Sequence, residues 1–152
     1  MATLLRKAGS KTVEKRMRAA EQEYPPAAFT MEVGMETAEE VATQVRAVAA
    51  YLSTLEAPQA KGEVKTSSGK YAGFFALGIA GKHKGPPADH RAAGLVVHLG
   101  KMPRRDTVGH LLHLADRIEE TADPKTPRLR GVASTSQVLD DGNGMFWFTL
   151  QE

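Results

Sequence analysis

The sequence predicts an α+β protein built from two tandem β-α-β-β units that share one mainly antiparallel sheet, with the helices on one face and an extra helix at the N-terminal side. Three observations carry that prediction. Two segments place apolar residues at helical spacing behind capping residues, Val41, Val45, Val48 and Leu52 in one and Leu111, Leu112, Ala115 and Ile118 in the other. Short apolar or alternating runs bounded by Gly, Pro, Asn and Asp flank both segments and read as strands. The element order of residues 27–77 then repeats over residues 92–150.

In chain order, residues 11–23 read as a helix. Ser10 or Thr12 caps it, and Val13, Met17 and Ala20 form its apolar stripe. Tyr24-Pro25-Pro26 ends it, because proline lacks the N–H and forces its predecessor out of the α region. Ala27 to Val33 reads as a strand and Gly34 breaks it. Thr37, with Glu40 three residues on, is a capping box opening a helix that runs to about Glu56. A short strand near Gly62–Thr66, a Ser67-Ser68-Gly69 turn and a longer strand from Lys70 to Ala80 complete the first unit, residues 27–80.

Residues 81–90 are a loop by composition. The second unit, residues 92–150, has a strand from Ala92 to Leu99 and a helix capped by Asp106 or Thr107. Two strands follow, about 129–138 and 144–150, joined by a tight turn. Asp-Gly and Asn-Gly within Asp140-Asp141-Gly142-Asn143-Gly144 supply the positive φ that such turns need. Set against each other, the units match Thr37 with Asp106, Gly69 with Gly142, Phe75 with Phe148, and Leu77 with Leu150.

Length and composition bound the rest. At 152 residues the chain is expected to be one domain, 1–152, around one core. An apolar fraction of 41% and a charged fraction of 25% are those of an ordinary globular protein. No apolar run reaches the length of a membrane span, and the N-terminus lacks the apolar stretch of a signal peptide. With no cysteine, disulfides, thiolate metal sites and thiol nucleophiles are excluded, and an intracellular, cytoplasmic setting is expected.

The net charge of +2 conceals segregation. Acids gather in residues 19–60 and 106–123, and bases gather in residues 1–18 and 61–105. The expected function is therefore non-enzymatic binding through a basic surface of Lys65, Lys70, Lys82, Lys84, Arg91, Lys101, Arg104 and Arg105. The partner class is polyanionic: nucleic acid, a nucleotide-like ligand or an acidic protein surface. The first alternative is a homo-oligomeric assembly protein joining complementary acidic and basic faces.

The second alternative is a small enzyme with a cleft between the units. Metal assistance would come from His98, His110 and His113, since two histidines three apart on a helix share a face and the preceding strand supplies a third ligand. Ser67, Ser68, Ser134, Thr135 and Ser136, at matched places in the two units, would line that cleft. No cofactor is implied. Lys82-His83-Lys84-Gly85 lacks the spacing of a phosphate loop. Lys70-Tyr71-Ala72-Gly73-Phe74-Phe75 misplaces the glycine that an RNA-recognition motif requires. The aromatics, Phe146, Trp147 and Phe148 included, are expected mainly in the core.

Overall fold

The computed structural model describes residues 24–79, 92–139 and 141–151. Its elements are β1 (Ala27–Met35), α1 (Ala38–Thr54), β2 (Ala60–Lys65), β3 (Tyr71–Leu77), β4 (Ala93–Met102), α2 (Arg104–Ala122), β5 (Val132–Val138) and β6 (Gly144–Gln151). All six strands form one antiparallel sheet in the order β2-β3-β1-β4-β6-β5. The helix expected over 11–23 lies outside the described residues.

Side chains alternate across the pleat, so each strand offers one row to each face. Phe29, Met31, Val33 and Met35 of β1, Leu95, Val97 and Leu99 of β4, and Phe146 and Phe148 of β6 lie in one buried cluster. Val41, Val45, Leu52, Leu111, Leu114 and Ile118 of the helices complete it. Both helices therefore cover the same face. Leu112, expected in the stripe of α2, is exposed, and Leu114 takes its place in the core. Gly73 sits where a Cβ would come within 1.9 Å of the Glu32 carbonyl oxygen, so only glycine lets β3 pack this closely on β1.

The first cap follows the Thr37–Glu40 spacing, and the second differs from expectation. The Thr37 hydroxyl accepts from the Glu40 N–H at 3.2 Å and donates to the Glu40 carboxylate at 3.0 Å. Helix α2 begins earlier than expected. Its N-cap is Pro103, which offers no side-chain acceptor, so Asp106 and Thr107 lie within the first turn. Neither helix carries a basic residue in its own last turn. Arginines from outside serve instead. Arg104 donates to the Leu55 and Ala57 carbonyls beyond α1, at 2.7 and 2.5 Å. Arg128 donates to the Asp123 carbonyl at 3.3 Å and the Ala122 carbonyl at 3.5 Å, at the end of α2. Cations there satisfy orphan carbonyls and complement the helix dipole.

Candidate functional site

The face of the sheet turned away from the helices carries the site. Its rows follow from register: Thr30, His98 and Met145 stand side by side, as do Glu32, Val96 and Trp147. Ser136 continues the second row and Val138 the first. The two halves of this face are unlike. On β3, Phe74 and Ala76 are buried. On β6 and β5, Trp147 is 53% exposed, Met145 38% and Val138 68%. An apolar strip thus lies open beside the β5 edge. A shallow depression of about 420 Å³ adjoins it, lined in part by Thr30, His98, Gly100, Val138, Asn143 and Met145. The Asn143 side-chain amide closes one wall by donating to the Lys101 carbonyl at 2.8 Å.

Trp147 was expected in the core and is not there. Phe146 and Phe148 face the helices, and the residue between them must face the other way. Of the remaining aromatics, Tyr71 and Phe75 are half-buried, and the Phe75 ring meets Tyr51 of α1 edge-on at 5.8 Å.

The basic residues come apart. Lys65 and Lys70 bracket the β2–β3 turn, at the end of the sheet where Val33 pairs with Gly73. Lys101 lies at the other end, where Met102 pairs with Ala27, and Arg105 follows in the first turn of α2. The length of β1 separates the two pairs, about 25 Å at 3.3 Å per residue. Arg104 leaves the set altogether. It is buried, its guanidinium is spent on main-chain carbonyls, and it stacks over the Tyr24 ring at 4.5 Å. Burial pushes its pKa down, against the pull of Tyr24. Lys82, Lys84 and Arg91 lie outside the described residues.

The three-histidine arrangement does not form. His98 alternates with core residues Val97 and Leu99 and so faces the open side, whereas His110 and His113 ride on α2 across the sheet. Among the described residues, no group of three His, Asp or Glu side chains converges to hold a metal ion. The hydroxyl cleft does not form either. Ser67 and Ser68 sit at the β2 edge, Ser134 and Ser136 at the β5 edge, with four strands between. Between the helices, Arg46 of α1 bonds Glu119 at 2.5 Å and Asp116 at 3.0 Å. The Glu119 bond raises the Arg46 pKa, and the same bond lowers that of Glu119.

Compared with protein-family models, curated proteins and solved structures, the chain matches none. Among the described residues, no helix is long and apolar enough to cross a membrane.

Proposed function

We propose that this chain is a non-enzymatic interaction protein whose working surface is the open face of β4, β6 and β5. The observation that supports the reading most directly is the exposed tryptophan: Trp147 stands out of the sheet beside Met145 and Val138. Tryptophan is enriched at interface centres because it buries a large area with few rotamers to freeze. An apolar strip rimmed by Ser134, Ser136 and Thr149 suits a protein surface better than a polyanion. The test uses wild type and Trp147→Ser as baits. Proteins retained by wild type and lost from the variant support the reading. Identical capture by both refutes it.

The polyanion reading is second and now rests on Lys101 and Arg105, which are exposed at the β4–α2 junction near the positive end of the helix dipole. Anisotropy with short DNA and RNA tests it. Affinity that falls steeply with salt supports it, and absence of binding at low salt ends it.

The chain is further read as one domain made by duplication of a β-α-β-β unit. Register supports this. Phe75 faces Met31 as Phe148 faces Leu95, and Leu77 faces Phe29 as Leu150 faces Ala93. Gly69 and Gly142 both take a positive φ, 86° and 73°, in the turns of the two hairpins. An intracellular setting belongs to this reading, supported by the lack of cysteine.

A further inference from the structure

The two outer strands of the sheet are built differently. β2 is six residues long, carries Lys61, Glu63 and Lys65, and is broken by an irregularity between Val64 and Lys65. Charges and bulges of this kind keep an edge from pairing with another chain. β5 has neither. Its seven residues, Val-Ala-Ser-Thr-Ser-Gln-Val, contain no charge, proline or glycine, and its register with β6 runs unbroken from Val132 to Val138.

Which of its main-chain groups point outward follows from one hydrogen bond. The Leu139 N–H reaches the Gly144 carbonyl at 2.9 Å, so Leu139 faces β6, and by alternation so do Gln137, Thr135 and Ala133. Val132, Ser134, Ser136 and Val138 then turn theirs to the edge. At Val132 both groups are taken, since it exchanges two 3.0 Å bonds with Leu129. The stretch left open runs from Ser134 to Val138 and is centred on Ser136.

We propose that β5 pairs antiparallel with β5 of a second copy of this chain, about a two-fold axis through Ser136. That register uses every outward group the strand has to offer. Ser136 meets Ser136 and Ser134 meets Val138, giving roughly six main-chain hydrogen bonds, two for each narrow pair. It also sets Thr135 opposite Gln137 on the helix side of the sheet. The Gln137 Oε1 is buried without a hydrogen-bond partner. The Thr135 hydroxyl oxygen accepts from Arg117 at 2.7 Å, which leaves its own O–H to donate. Each copy thus brings a donor beside the other's Gln137, within reach once that side chain turns to the edge, a reciprocity peculiar to a two-fold contact between identical strands.

The result is a twelve-stranded sheet with both helix layers on one side. On the open side Ser136 is flanked by Trp147 in each copy, so the two apolar strips become one. The proposal extends the reading of β4, β6 and β5 as an interaction surface, and it can fail separately from that reading.

Sedimentation at about 100 µM and single-cysteine cross-linking test it. The expected mass is twice the 16.4 kDa chain, and Ser136→Lys, at an exposed position, reduces it to one chain that keeps the wild-type circular dichroism spectrum. Because the chain has no cysteine, Ser136→Cys is the sole thiol. Its Cα atoms would lie about 5.5 Å apart across the axis, within reach of a disulfide. Mild oxidation is expected to give a covalent dimer from Ser136→Cys and none from Glu63→Cys on the other edge. A wild-type mass of one chain, or equal cross-linking from both cysteines, overturns the pairing. A Trp147→Ser protein that remains dimeric but retains all bait partners removes the open-face reading and leaves the pairing intact.

Discussion

Replacing Arg104 by methionine separates a structural arginine from a binding one. The side chain is 7% exposed, and its guanidinium donates to two carbonyls, of Leu55 and Ala57. Hydrogen bonds to a charged group contribute about 1.5–3 kcal/mol each, and stacking on Tyr24 adds on the order of 0.5–2 kcal/mol. Against this stands the desolvation that lowers the arginine's pKa, a cost the methionine variant no longer bears. The net expectation is a loss of about 2–4 kcal/mol. For a chain of this size that is a fall in melting temperature of ~5–15 °C. Arg104→Lys reaches one carbonyl at most and loses the flat stack, so it should fall between the two. Urea unfolding followed by circular dichroism gives the free energies. Methionine and wild-type proteins of equal stability would refute the reasoning. An equal fold with weakened oligonucleotide binding would return Arg104 to the ligand set.

Three further outcomes are expected. Gly109 lies inside α2 with open space where a Cβ would go, so Gly109→Ala should add about 0.5–1 kcal/mol in thermal unfolding. Arg130 holds a φ of 54° beside Gly131 in the Leu129–Val132 turn, where asparagine is better tolerated, so Arg130→Asn should stabilise by about 0.5–1 kcal/mol. The pKa of Glu119 is lowered by its bond to Arg46, so its contribution is present at neutral pH and lost as pH falls through the lowered value. The stability difference between wild type and Glu119→Gln should therefore vanish in acid unfolding below the usual glutamate range near 4.3.

Much of the fold was legible because it depends on local chemistry. Apolar spacing located both central helices, and the turns Ser67-Ser68-Gly69 and Asp141-Gly142-Asn143-Gly144 located both hairpins. Thr37 capped as its spacing with Glu40 required. The end of a helix was harder: Pro103 displaced Asp106 as the start of α2 because the proline's fixed φ and extended ψ precede a helix without any side-chain bond. The site was legible only in part. Alternation says that Phe146 and Trp147 face opposite ways, but which face the helices cover is a property of the whole sheet. His98 was placed with His110 and His113 for the same reason. The basic residues looked contiguous because they are near in sequence. Strand direction then carried Lys65 and Lys70 to one end of the sheet and Lys101 to the other.

The pairing of β1 with β4 joins the two halves of the sheet across a longer span of chain than the other strand pairings do. The two hairpins, β2–β3 and β5–β6, join near neighbours and can close early, whereas Met31 meets Val97 only after a long loop has been drawn together. Until that central seam forms, β1 and β4 are themselves unpaired on one side, with Met31, Val33, Leu95 and Val97 uncovered beside them. A chain that closed both halves before this seam would have two finished ends and an open middle. Substitutions along the seam, such as Val97→Ala, should slow refolding more than equally destabilising ones at the hairpin tips.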